Sequence, residues 1–389
     1  MNAIVTPIKP WKIDPSRGQT NGRVSSQWFS RPDDQRFLSL AELHHYTLET
    51  ANASDVTTAQ VTDLRVIAAA DKPDSLRLQL ADGRQVRPSH WAFGQMCSMV
   101  KAPAGYLREL PAAIAGINLQ YGITNYRGEL MKTYQSKGGN LDLRAVTSAT
   151  YGRIYDHELV GAVKSLVERD PRWKVPGVIN WTDQTYNPNA VVTRESTTLF
   201  ASDRDVFLFL VDDRNPIEIG KLPDGSPDLV FRGFYAWNSE VGAKSFGLAA
   251  MYLRGVCQNR NLWGVEGYRE FTFRHSSGAP ARFMREAAAK LQQFADSGTQ
   301  KLLAGVAAAK ATLVADDDEA AEDFVRKQGF SQTKAAEIVA TVLQEEQHPA
   351  RSIWDMVQGI TAVARREGHQ DARIDMERTA GKLLDKIRV

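Results

Sequence analysis

The sequence predicts an α+β fold: a central, mostly antiparallel sheet with flanking helices, followed by a helical C-terminal region. Three observations predict it. Runs rich in Val, Thr, Phe and Tyr, bounded by turn signals, fill the middle of the chain. Segments with apolar residues at helical spacing are interleaved with those runs. From Arg282 onward Ala, Leu, Glu, Lys and Gln dominate. The 389 residues are 43% hydrophobic and 24% charged, which suits one large domain or two medium ones. The organisation read from this is an extended arm over 1–36, a mixed α+β body over 37–281 and a helical region over 282–389.

Taken in order, residues 1–36 carry Pro7, Pro10, Pro15 and Pro32 with little periodicity, the texture of a partly disordered arm. Ser39 to Thr47 reads as a short helix. Asp63–Ala68 and Ser75–Leu80 read as strands, the second followed by an Asp82-Gly83 turn and Arg84–Arg87. Pro88 and Ser89 open a helix through Trp91, Phe93, Met96 and Val100. A further helix runs from Tyr106 to about Leu119, interrupted at Pro111. Leu141–Thr147 is a strand, and Glu158–Glu168 a helix with Leu159, Val163 and Val167 inward. Val175–Trp181, Ala190–Leu199, Val206–Val211, Phe231–Trp237, Gly247–Gly255 and Phe271–Arg274 continue the sheet. Helices are predicted over 282–313, 319–328, 332–346, 351–367 and 371–387. Asp316-Asp317-Asp318-Glu319 reads as a helix cap.

Composition narrows the function less than the fold. Net charge is +2, from 48 Lys+Arg against 46 Asp+Glu, so a polyanionic partner requires a local basic patch. The two cysteines, Cys97 and Cys257, form no CxxC pair, and the expectation is a reducing, cytoplasmic setting. The N-terminus lacks the apolar core of a signal peptide, and no run reaches the ~18 apolar residues of a membrane span. Gly242-Ala243-Lys244-Ser245 lacks the glycine run of a phosphate-binding loop, and no GxGxxG or GxSxG is present. None of the seven histidines forms HxH, HxxxH or HExxH. The expectation is therefore no cofactor, no metal and no assigned catalytic residue. Asp156 reads as a cap with His157 in the exposed first turn behind it.

Two regions carry polar chemistry. Between Tyr121 and Tyr155, tyrosines interleave with Arg127, Lys132, Lys137, Arg144 and Arg153, against Glu129 and Asp142. Basic groups follow a phosphate backbone while aromatic faces stack on bases, at ~1–3 kcal/mol per base. On that reading Tyr126 and Tyr134 are the stacking candidates. Half-buried tyrosines held by the sheet are the equal alternative. The second region, Phe231 to Arg274, supplies Arg232, Lys244, Arg254 and Arg260 as a second rim, with Cys257 a small buried side chain.

This second region resembles a known family. Asn238-Ser239-Glu240-Val241-Gly242 and Arg254-Gly255-Val256-Cys257-Gln258-Asn259 are similar to motifs of a phage/plasmid-like family built around domain of unknown function 932. Arg144-Ala145-Val146-Thr147-Ser148, with Tyr151 and Arg153, resembles that family's strand-then-Ser-x-x-Tyr element. Ser352 through Thr361 resembles its C-terminal helix, departing at Gln358-Gly359-Ile360-Thr361, as Gln258 departs where threonine is frequent. The resemblance spans roughly residues 90–385. It implies a mobile-element context and hands over no catalytic residues.

The first functional expectation is a DNA-metabolism protein of a mobile element that binds single-stranded DNA and anneals strands in recombination. The alternative is a non-enzymatic interaction protein, such as a counter-defence factor that engages a host protein. The third is a hydrolase or nucleotide-modifying enzyme around Glu240, Asp212-Asp213 and His275, although adjacent carboxylates on a strand point to opposite faces. Homo-oligomerisation through the C-terminal helices is compatible with each.

Overall fold

A computed structural model describes residues 33–69, 72–126, 130–136, 142–175, 179–180, 185–186, 191–194, 197–212, 215–221, 225, 227–254, 260–261, 270–295, 299–367 and 370–387. Its first elements are a two-residue strand β1 (Arg36–Phe37) and helix α1 (Leu40–Asn52), whose cap Ser39 accepts the Glu42 N–H. Strands β2 (Ser54–Gln60), β3 (Arg65–Ala69), β4 (Lys72–Gln79) and β5 (Gln85–Pro88) follow. Gly83, at φ +83°, turns the chain between the last two, a conformation that suits glycine. Ser89 then caps α2 (His90–Met99), and Pro111 separates α3 (Ala104–Glu109) from α4 (Ala112–Thr124). The β6 (Leu130–Ser136) and β7 (Asp142–Ser148) hairpin completes a six-stranded sheet of order β2-β6-β7-β5-β4-β3. Every pairing in it is antiparallel except β5 with β7. The parallel step is possible because α2, α3 and α4 lie between those strands in the chain and supply the crossover. Phe93, Met96 and Cys97 of α2 and Ala115, Leu119 and Ile123 of α4 are buried against Leu76, Leu78, Val86 and Leu143.

Apart from β1, the strands of the second sheet follow α5 (Asp156–Arg169). Its strands are β8 (Trp173–Lys174), then, beyond a separate two-residue pair β9 (Ile179–Asn180) and β10 (Thr185–Tyr186), β11 (Leu199–Ala201), β12 (Val206–Asp212), β13 (Ile217–Lys221), β14 (Pro227–Asn238), β15 (Phe246–Arg254), β16 (Arg260–Asn261) and β17 (Glu270–Phe273). The spine is β1-β11-β12-β14-β15-β16, antiparallel throughout, with β8, β13 and β17 alongside. Every residue of β12 is buried, as expected of a strand covered on both faces. One face, with Leu208, Leu210, Phe234, Ala236 and Leu248, packs under α1, α5 and α6 (Ala279–Ala295) through Leu43, Val163 and Phe283. The other is aromatic: Phe200, Phe207, Phe209, Phe231, Tyr235 and Trp237.

The remaining helices are α7 (Gln300–Ala311), α8 (Asp318–Arg326), α9 (Gln332–Glu346), α10 (Ile353–Arg365) and α11 (Gln370–Asp385). Their starts are set by side chains that accept otherwise orphaned N–H groups: Asp317, Ser331 and Ser352 each cap a helix. The Trp354, Val357, Ile360 and Val363 stripe is buried with Ile338, Val342 and Leu383, and the same core takes in Ile217, Val230 and Tyr252 of the sheet.

The fold is α+β with mostly antiparallel sheets and a helical C-terminal region, as the texture of the sequence predicts. Some elements differ. The single helix expected over 282–313 is divided into α6 and α7, and no strand is expected over β2. Ala190–Leu199 is not a strand among its described residues, because strand pairing begins only at Leu199. Arg36, assigned to an arm, pairs instead with Phe200 at the edge of the second sheet. Residues 1–32 lie outside the described residues.

Trp237 and Gly247 face each other across β14 and β15, and a Cβ on Gly247 would overlap the indole. Gly247→Ala is therefore expected to lower unfolding stability by ~2 kcal/mol. Gly105→Ala, on helix α3 with open space around the added methyl, is expected to be neutral or mildly stabilising. Urea titration of the two variants checks the contrast.

Candidate functional site

The chemistry-bearing residues converge where the two sheets meet. Strand β14 runs out at Asn238 and continues into Ser239, Glu240, Val241 and Gly242, the last at φ +83°. This turn is held from the first sheet's side. Trp91 Nε1 and Gln95 Nε2 of α2 both donate to the Val241 carbonyl, at 3.0 and 2.9 Å. Gln95 also accepts the Val146 N–H of β7 through its carbonyl oxygen, at 2.9 Å. Ser239 closes the turn by accepting the Ala243 N–H at 2.8 Å.

Glu240 occupies the centre and is 1% exposed. Its Oε1 meets Arg144 Nη1 at 2.8 Å and accepts from the Tyr134 hydroxyl at 3.1 Å. Its Oε2 accepts the Asp156 N–H at the start of α5, at 3.2 Å. Arg144 also donates to the Tyr134 hydroxyl at 2.8 Å and to Ser54 Oγ at 3.2 Å. Arg153 donates to the Glu240 carbonyl. The Tyr134 ring lies against both guanidiniums, with centroid distances of 4.6 Å to Arg144 and 4.2 Å to Arg153. Tyr151 donates to the Ser239 carbonyl at 3.1 Å and stacks on His275 at 5.0 Å. His275 Nδ1 lies 3.1 Å from the Gly152 carbonyl. Gly152 approaches Ser276 so closely that a side chain would collide with the Ser276 carbonyl.

Asp156 is the second buried carboxyl. Asn238 Nδ2 donates to it at 2.7 Å and to the Ile154 carbonyl at 2.8 Å. Burial, reinforced by the negative charge of Glu240, holds the Asp156 carboxyl well above the usual carboxylate range, although Asn238 and Arg144 oppose the shift. Burial likewise raises the Tyr134 and Tyr151 hydroxyls and lowers His275. Among the described residues, Arg153 Nη2 and Asn238 Oδ1 are buried without a hydrogen-bond partner. Among the described residues, no cluster of three or more His, Cys, Asp or Glu side chains is placed to hold a metal.

The residues predicted from sequence divide into three groups. Arg144, Arg153 and Tyr134 are brought together, but inside the junction. At 1% exposure and with guanidiniums over its ring, Tyr134 offers no face to a nucleobase, and Arg144 is neutralised by Glu240. Arg232 is buried on β14 opposite Tyr252, Lys244 places its ammonium 5.3 Å from the Phe207 ring centroid, and Tyr126 is half-buried against the first sheet's core. Lys132 lies on β6 opposite Thr58 and Thr147, Arg254 on β15 and Arg260 on β16. Arg127, Lys137, Asp213 and Cys257 lie outside the described residues.

Asp156 corrects the sequence reading: it is not the cap ahead of the helix, a place Tyr155 takes, but the first helical residue, buried and bonded by Asn238. Glu240 and His275 join the junction, whereas Asp212 is buried elsewhere, accepting two hydrogen bonds from Asn215. Glu240 stands out in the sequence as a carboxylate after the β14 run, but its pairing with Arg144, 96 positions earlier, has no local signal. No protein-family model matches this chain, and neither the curated proteins nor the solved structures contain a match.

Removing the Glu240 charge strands a buried guanidinium. Glu240→Gln is expected to lower unfolding stability by ~3 kcal/mol, read by urea denaturation at neutral pH. Asp156 behaves oppositely. Its folded carboxyl holds the proton more tightly than the unfolded one, so its contribution is most favourable below the unfolded carboxylate pKa. That contribution falls as pH rises through the folded value. Asp156→Asn is therefore expected to gain stability relative to the parent chain as pH rises above the usual carboxylate range. A stability difference independent of pH would contradict this.

Proposed function

We propose that the chain is a non-enzymatic interaction protein of a mobile genetic element, working through a protein-facing surface in the cytoplasm. The observation that supports this reading is the junction. The Arg144, Tyr134 and Glu240 groups expected to meet phosphate, base or substrate are directed at one another at the seam of two sheets. A phosphate-binding or catalytic group needs an open approach to its substrate, and Glu240 has none at 1% exposure. Engagement of a host protein as a counter-defence factor fits this reading, as does the resemblance to phage and plasmid proteins. Among the described residues, no helix is long and apolar enough to cross a membrane.

Single-stranded DNA binding, with annealing, is the second reading. It is favoured by Arg127, Lys132 and Lys137, which lie on β6 or within three residues of its ends. Phosphate contacts by three such groups would weaken steeply with salt, because counterions are released.

Fluorescence anisotropy of labelled single- and double-stranded oligonucleotides, at ~50 and ~200 mM salt, separates the two. The interaction reading predicts no strand-selective, salt-sensitive binding at micromolar protein. Selective binding that collapses at the higher salt, and is lost when Arg127, Lys132 and Lys137 are replaced together, would overturn it in favour of DNA.

A further inference from the structure

The surface of the first sheet's helical layer carries an anomaly of composition. Helix α4, Ala112–Thr124, has no charged residue in thirteen positions. Its inner face, with Ala115, Leu119 and Ile123, is buried on the sheet. Its outer face is apolar too: Ile114 is 47% exposed, Ile117 70% and Tyr121 73%, with Tyr106 of α3 at 59%. A surface helix ordinarily pairs one apolar stripe with a charged one. A helix apolar on both faces has the composition of a buried element.

The polar residues on that face are already turned inward on the helix. Asn118 donates to the Ile114 carbonyl at 2.9 Å and Asn125 to the Tyr121 carbonyl at 2.8 Å. The exposed apolar side chains amount to on the order of 500 Å², the upper range of patches on monomeric proteins.

We propose that α4 is the two-fold contact through which the chain pairs with a second copy of itself. The charges at its ends select that occupant. Glu109 stands just before the helix, ahead of Pro111. Lys101 stands at its other end, because Val100 packs on Gly122 in the last turn. Both are exposed, and neither forms an ion pair among the described residues. When two copies of α4 pack antiparallel about a two-fold axis, Glu109 of each copy meets Lys101 of the other. An isologous contact needs such self-complementarity, and the uncharged stripe between the ends gives a differently charged partner nothing to pair with.

This inference rests on the reading of the chain as a binding protein, and sedimentation equilibrium of the full chain over ~1–100 µM tests it. The parent chain is expected at twice the mass of one chain, and Ile117→Asp at the mass of one, with unchanged circular dichroism and melting. Glu109→Lys or Lys101→Glu alone is expected to weaken pairing about tenfold, and the doubly reversed chain to recover it. A parent chain that stays monomeric overturns the proposal, as does an Ile117→Asp chain that stays dimeric. A monomer that floats with phosphatidylcholine vesicles overturns it in favour of a membrane surface. Strand-selective DNA binding by a monomer contradicts the proposed function as well, whereas a monomer indifferent to DNA contradicts only the pairing.

Discussion

The carboxylate of Glu240 is the constraint around which the rest of the structure is arranged. A charge at 1% exposure is strongly destabilising unless it is paired and hydrogen-bonded. Every partner it uses comes from a different part of the chain: Arg144 from β7, Tyr134 from β6, and the first N–H of α5. Meeting the demand of one side chain therefore fixes the hairpin of the first sheet, the end of β14 in the second, and the helix between them. Neutral groups of similar shape would join the sheets less selectively, since apolar contacts tolerate sliding that a paired charge does not. Asp156 depends on the same arrangement from the other side, its carboxyl pushed toward the protonated form by burial and by the charge of Glu240.

Much of the fold was legible because local rules and tertiary packing agree. Ser39, Ser89, Asp317 and Ser352 all cap helices that follow them, and side-chain caps are readable from residue type and position alone. The β12 and β14 strands were equally plain, since Val, Phe and Leu in unbroken runs suit a doubly covered strand. β2 was not, because Ser54-Asp55-Val56-Thr57-Thr58-Ala59-Gln60 has little apolar alternation. Its place is set by pairing with β6 rather than by its own pattern. Ala190–Leu199 was overestimated at its described residues 191–194 and 197–198 for the opposite reason, as β propensity without a partner does not make a strand.

The cluster was located by sequence, with its two readings, an exposed basic-aromatic surface and tyrosines held by the sheet, left equal. Tyr134, Arg144, Tyr151 and Arg153 do cluster, yet composition cannot distinguish a basic, aromatic surface from arginines folded inward onto a carboxylate. The deciding residue, Glu240, lies almost a hundred residues downstream of Arg144, and only the meeting of the two sheets brings it within 2.8 Å. The contact between Asn238 and Asp156 was invisible for the same reason, since their positions in the sequence are far apart.

The most direct test of this account is a double-mutant cycle on Arg144 and Glu240, using Arg144→Met and Glu240→Gln singly and together and reading unfolding stability in urea. A pair that locks the two sheets predicts a coupling energy of ~2 kcal/mol, with the double variant less destabilised than the sum of its parents. Additive effects would show that the charges do not act on each other, and the junction would lose its claim to hold the fold together.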